Sequence, residues 1–218
     1  MKHLFRYGGW LLGIALLSIL IFPNALMSEG VIGSFALAIF VRACAGNRSG
    51  AQRVFIAEKT VVTAITVTAG EISAITGTTP FMRVDVSQDS LNWEQEDSKV
   101  GANNIMVKNL IEYLIETPNK AMNTHVDALI DASPCGLYAI VTDGNAQNWL
   151  VGYDVRSLTS RPLRYNSGKQ KTGKLISDAD GQTKLIQLTN ECMGLALPFD
   201  STLNAAINAG SSTIIKWS

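Results

Sequence analysis

The chain has 218 residues, enough for one domain with appendages, and its 18 basic and 18 acidic residues give a formal net charge of +0. No long basic run and no stripe of basic residues interleaved with aromatics occurs. The electrostatic footprint that grips a nucleic acid backbone is therefore missing, and no specific nucleic acid contact is expected.

The front of the chain is hydrophobic. From Tyr7 to Ser28 there is no charged residue, and the centre reads WLLGIALLSILIF from Trp10 to Phe22. The stretch approaches the roughly 20 residues that a bilayer-spanning helix uses. Lys2 and Arg6 precede it and Glu29 follows, the charge order of a signal or of an anchor with its N-terminus inside. A second apolar run, Val31 to Val41, is shorter and ends at Arg42. The readings are a signal peptide with its flank, a signal anchor, a helical hairpin, a buried helix of a soluble protein, or an extension from an upstream start with the working product beginning near Met27. Membrane contact, if made, is expected through residues 7–41. Asn47-Arg48-Ser49 is formally a glycosylation acceptor, a weak signal at three residues.

Around Ala45 the composition turns from nearly uncharged to mixed, and AGNRSGAQR has the glycine and small polar residues of a linker. Residues 1–44 are accordingly read as a hydrophobic N-terminal segment and residues 45–218 as a β-rich structural domain. Val54 to Thr76 is rich in Val, Ile and Thr, which favours strands, with a break at Ala69-Gly70. Phe81 to Ser87 alternates, with Phe81, Arg83, Asp85 and Ser87 on one face and Met82, Val84 and Val86 on the other. Ile105 to Glu116 places Val107, Leu110, Ile111, Leu114 and Ile115 at near-helical spacing, and Pro118 follows as a stop. Ala121 to Ala132 gathers Met122, Val126, Leu129 and Ile130, and the two segments are expected to pack as a helical hairpin over the sheet.

Strand signals then return. Leu137 to Thr142 and Asn148 to Val155 flank DGNAQ, whose Asp-Gly start marks a hairpin. Trp149 and Tyr153 are expected on one face, pairing with Tyr138 or Ile140 as core or contact groups. Arg161, Arg164, Lys169, Lys171 and Lys174 form the densest basic patch, read as a solvated loop or as an electrostatic contact surface between subunits. KLIQLT is a further strand, and Leu203, Ile207, Ile214 and Ile215 indicate a final helix or strand. The fold class is thus mainly β (α+β): a β-sandwich or barrel-like antiparallel sheet with one or two flanking helices.

Chemistry-bearing residues are sparse. The cysteines Cys44, Cys135 and Cys192 lie far apart without Cys-x-x-Cys spacing, and read as buried free thiols rather than a disulfide framework or a zinc site. Export would permit one bridge with one thiol left over. Only His3 and His125 are present, and no G-x-S-x-G elbow accompanies them. Asp127 cannot orient His125, since residues two apart do not face each other on a helix. SDADGQT, Ser177 to Thr183, looks superficially like a calcium loop, but Gly181 falls at the wrong place and the closing glutamate is missing, so a turn is the better reading. Glu94, Glu96 and Asp97 include a possible carboxylate pair, but nothing in the sequence brings them to a pocket. No catalytic, cofactor-binding or metal-ligating residue is assigned.

Three pieces of the chain, Phe55 to Thr76, CGLYAIVTDGNAQNWLVGYD (Cys135 to Asp154) and SDADGQTKLIQLT with ALPF after it, form a series that resembles small virion structural proteins of tailed bacteriophages and prophages of Bacteroidetes. The pattern spans roughly Val41 to Phe199, and Trp149, Leu150, Val151 and Gly152 match its recurring tetrapeptide. The resemblance implies a non-enzymatic tail-tube or tail-adaptor-like subunit that assembles with itself and with other virion proteins in the bacterial cytoplasm. The hydrophobic front departs from that pattern. It supports instead a membrane-tethered or exported β domain that binds a partner protein. A cysteine-dependent enzyme using Cys135 or Cys192 beside His125 is a third reading.

Overall fold

The computed structural model describes residues 50–86, 90–100, 104–116, 119–154, 161–171 and 183–216. The expectations for residues 1–44, including the membrane-spanning and start-site readings, lie outside the described residues, as do Asn47-Arg48-Ser49, Lys174 and most of SDADGQT.

The strands are β1 (Ala51–Glu58), β2 (Val62–Thr68), β3 (Glu71–Gly77), β4 (Phe81–Arg83), β5 (Asn92–Val100), β6 (Asn104–Glu116), β7 (Leu137–Asp143), β8 (Asn148–Val151), β9 (Arg164–Lys171), β10 (Thr183–Cys192), β11 (Leu197–Pro198) and β12 (Ile215–Lys216). Among the described residues two α-helices, α1 (Lys120–Ala132) and α2 (Ser201–Asn208), accompany them. A six-stranded sheet runs in the order β11-β8-β7-β1-β4-β12, a four-stranded sheet in the order β5-β6-β10-β9, and β2 and β3 form a separate hairpin. The protein is therefore mainly β, with flanking helices and open sheets rather than a closed barrel.

The six-stranded sheet is the middle layer. Along β7 the six residues from Leu137 to Thr142 are all buried, the mark of a strand covered on both faces. On one side Val54, Ile56, Ala139, Val141 and Val151 pack with Met122, Val126 and Leu129 of α1 and with Ile111, Tyr113, Ile186 and Leu188 of the four-stranded sheet. On the other side Phe55, Tyr138, Ile140 and Leu150 pack with Ile72 and Ile75 of the β2–β3 hairpin and with Ile207 of α2. Each fully buried Leu, Ile or Phe contributes about 1.5–3 kcal/mol, so two such cores carry most of the driving force.

Local chemistry sets the ends of these elements. Ala69 (φ 53°) and Gly70 (φ +86°) turn the β2–β3 hairpin with both central residues at positive φ, as the expected break requires. Asn119 caps α1 by accepting from the Met122 N–H at 3.0 Å, and Asp200 caps α2 by accepting from the Leu203 N–H at 2.7 Å. At the β7–β8 turn the Asp143 Oδ1 accepts from the Asn145 and Gln147 N–H groups at 2.8 and 3.0 Å. The hairpin read from Asp-Gly is present, with Thr142 opposite Asn148.

Four expectations are corrected. Ile105 to Glu116 is not a helix but most of β6, paired with β5 on one side and β10 on the other. Its buried residues, Val107, Asn109, Ile111 and Tyr113, recur every second position, so the helical hairpin over the sheet does not exist and α1 packs alone. The strand from Phe81 ends at Arg83, and its core residues are Phe81 on one side and Val84 on the other, while Met82 is exposed. Trp149 and Tyr153 do not share a face: β8 stops at Val151, Gly152 turns at φ +100°, and Tyr153 goes to Tyr138 while Trp149 faces the four-stranded sheet. The basic segment is not a loop, since Arg164 to Lys171 forms β9.

Candidate functional site

The chemistry-bearing residues do not converge. His125 lies on α1 with its Nε2 3.1 Å from the Tyr113 hydroxyl oxygen of β6. Burial lowers the His125 pKa below its ordinary value and raises that of Tyr113, so the contact joins a neutral imidazole to a neutral phenol. A hollow of about 440 Å³ beside it is lined by Arg83, Val84, Asp85, Val86, Ile115, Asn119, Met122 and His125. Neither cysteine nor serine reaches His125 by a hydrogen bond among the described residues. Cys192 is buried with its thiol 3.0 Å from the Gly194 carbonyl oxygen, and burial pushes its pKa up, the opposite of an activated nucleophile. Cys135 is exposed rather than buried, because it sits in the turn between α1 and β7. Among the described residues no group of three or more His, Cys, Asp or Glu side chains is placed to hold a metal ion.

Buried polar groups serve the packing instead. In the four-stranded sheet Gln95 Nε2 donates to Asn109 Oδ1 at 2.8 Å, and Asn109 Nδ2 donates to Asn190 Oδ1 at 2.9 Å. This ladder crosses three strands and fixes their register. At the other core Thr142 Oγ1 donates to Asn148 Oδ1 at 2.6 Å, and Asn148 Nδ2 donates to Asn204 Oδ1 at 2.6 Å, tying the β7–β8 hairpin to α2.

The four-stranded sheet is the part of the molecule that is built outward. Pairing of β6 with β10 ends at Val107 opposite Cys192, whereas pairing of β6 with β5 continues to Asn104 opposite Val100. The last three residues of β5 and the first three of β6 therefore project as a two-stranded ribbon. That ribbon exposes Val100 (44%), Ile105 (43%) and Met106 (37%), apolar side chains that water solvates poorly. Both sheet edges are open among the described residues, because β5 and β9 each pair on one side only. β5 carries Glu94, Glu96, Asp97 and Lys99, all exposed, and β9 carries exposed Arg164, Lys169 and Lys171 with no acidic residue. The outward face between them carries a hydrogen-bonded row from Ser167 through Gln187 to Glu112.

The sequence offers the acidic cluster and the basic patch separately, the first as a possible carboxylate pair and the second as a solvated loop or a contact surface between subunits. The structure places them on opposite edges of one sheet. The projecting ribbon is not legible in the sequence, where Ile105 to Glu116 has the spacing of a helix. Comparison with protein-family models, curated proteins and solved structures finds no match to the chain.

Proposed function

We propose that the protein is a non-enzymatic structural subunit whose work is self-association, and that it belongs among the virion components of tailed bacteriophages and prophages, as a tail component. The observation that carries this reading is the projecting β5–β6 ribbon with Val100, Ile105 and Met106 exposed at its end. Soluble proteins blunt open strand edges and apolar tips unless these are used for pairing. The rest of the β framework, two cores and satisfied polar ladders, supplies the rigid body that a repeated contact needs. His125 supports the same reading, being held by Tyr113 rather than presented to a nucleophile. Electron microscopy of the full chain at rising concentration tests it: discrete rings or tubes are expected, and dispersed single particles throughout would overturn it.

A second reading is favoured by a different observation. The uncharged stretch from Tyr7 to Ser28, with Lys2 and Arg6 before it, suits a membrane-tethered extracytoplasmic β domain that binds a partner protein. Among the described residues no helix is long and apolar enough to cross a membrane. Alkaline extraction of a membrane fraction separates the readings, since a tethered domain stays with the lipid and a virion subunit does not.

A further inference from the structure

We infer that copies of the chain join head to tail, with the acidic β5 edge of one copy paired to the basic β9 edge of the next, so that the four-stranded sheet continues from subunit to subunit. The inference rests on the self-association reading and specifies its seam.

Three features of the sheet select this seam. The first is direction. The order β5-β6-β10-β9 is antiparallel at every step, and four is an even number, so β5 and β9 run in opposite directions. When a second copy is set beside the first in the same orientation, its β5 lies antiparallel to the first copy's β9. The alternation of the sheet then passes across the seam without a break. The outward face stays on one side in every copy.

The second feature is length. β5 has 9 residues and β9 has 8, so their outer rows of backbone N–H and C=O groups are similar in length, and among the described residues the β9 row is engaged only at Tyr165, whose N–H donates to Ser133 Oγ at 3.0 Å. Each row left in water is a template for another strand.

Charge is the third, and it decides between seams. A two-fold pairing of β5 with β5 is also antiparallel, but it sets Glu94, Glu96 and Asp97 against their own copies. A two-fold pairing of β9 with β9 does the same with Arg164, Lys169 and Lys171. Like charges across a strand pair repel, whereas opposite charges attract by a few tenths of a kcal/mol to about 1 kcal/mol per pair. Glu94 and Glu96 of β5 and Arg164, Lys169 and Lys171 of β9 all lie on the outward face, and Glu94 shares a cross-sheet row with Arg164, so the seam brings an acidic margin to a basic one on that face. Inside the chain Glu96 already stands opposite Lys108 of β6, the same acid-to-base alternation that the seam continues. A heterologous contact of this kind generates a ring if its rotation closes and an open filament if it does not.

Charge exchange on the full chain tests the seam. One variant carries Glu94→Lys and Glu96→Lys, which makes both edges basic; a second carries Lys169→Glu and Lys171→Glu, which makes both edges acidic. All four positions are exposed, and circular dichroism checks that each variant is folded. Sedimentation is read for the natural chain, for each variant alone and for an equimolar mixture. The expected result is that each variant alone needs at least about tenfold higher concentration to associate, and that the mixture recovers association by alternating the two kinds of edge. If the natural chain associates and both variants associate equally well, the seam is wrong while self-association stands. If the variants dissociate and their mixture does not recover, the head-to-tail pairing is wrong. If the natural chain itself stays monomeric, the self-association reading fails and the seam with it. Every sample is run in mild detergent, which disperses clustering through the apolar residues 7–41 and leaves a strand-paired seam intact, so the association that is read comes from the folded domain.

Discussion

Trp93 of β5 and Trp149 of β8 meet between the two sheets, with ring centroids 5.8 Å apart and planes tilted by 43°. The pair is chemically unequal. Trp149 Nε1 donates to Asp143 Oδ2 at 3.0 Å, whereas Trp93 Nε1 is buried with no acceptor among the described residues. A buried donor without a partner costs about 1–3 kcal/mol.

Phenylalanine substitutions are therefore expected to have opposite fortunes at the two sites. Trp93→Phe removes the unpaired donor along with some ring area and should leave stability within about 1 kcal/mol of the natural chain. Trp149→Phe leaves Asp143 without its indole partner and should cost about 1–2 kcal/mol. Urea midpoints of the two variants, compared at equal slope, check the order.

The Tyr113–His125 contact makes stability depend on pH in a stated direction. Burial holds the folded His125 pKa below its ordinary value, so on acidification the unfolded chain takes up a proton at about pH 6.5 and the native chain does so only lower down. This contribution is complete above about pH 6.5 and is lost as pH falls through that value toward the folded pKa. His125→Gln, which keeps a polar group but does not titrate, should reduce the stability lost between about pH 7.5 and about pH 5. Denaturation of both proteins at the two pH values gives the difference; an unchanged loss would contradict the assignment.

Two glycines at similar dihedrals are expected to differ sharply. Gly70 has φ +86° with nothing within 4 Å of an added Cβ, so Gly70→Ala should cost only the backbone preference, about 1 kcal/mol. Gly136 has φ +92°, and an added Cβ would overlap the Pro162 ring, so Gly136→Ala should cost about 3 kcal/mol or more. Thermal unfolding of the two variants side by side checks the contrast.

The parts of the fold that were legible in the sequence are those whose signal is local. Ala69-Gly70 and the Asp143-to-Gln147 turn are read from chemistry within a few residues, and α1 from the apolar stripe of Met122, Val126, Leu129 and Ile130. β6 was illegible because two patterns overlie each other there. Leu110 and Leu114 lie half-buried on its outward face, and together with Val107 and Ile111 they imitate helical spacing. The alternation of Ile105, Val107, Ile111 and Ile115 was the competing signal, and β-branching favours it. What decided the matter is pairing with β10, more than sixty residues away in sequence, which no local pattern carries. The charged edges illustrate the same limit. Glu94 and Lys169 were visible as charges, but only the strand order places them on opposite margins of one sheet.

The proposed self-association is tested most directly by the mass distribution of the full chain over a concentration series, read by sedimentation. The account predicts growth with concentration into a discrete ring or a polymer, weakened by added salt because charged edges take part. A mass that stays monomeric at every concentration would contradict it.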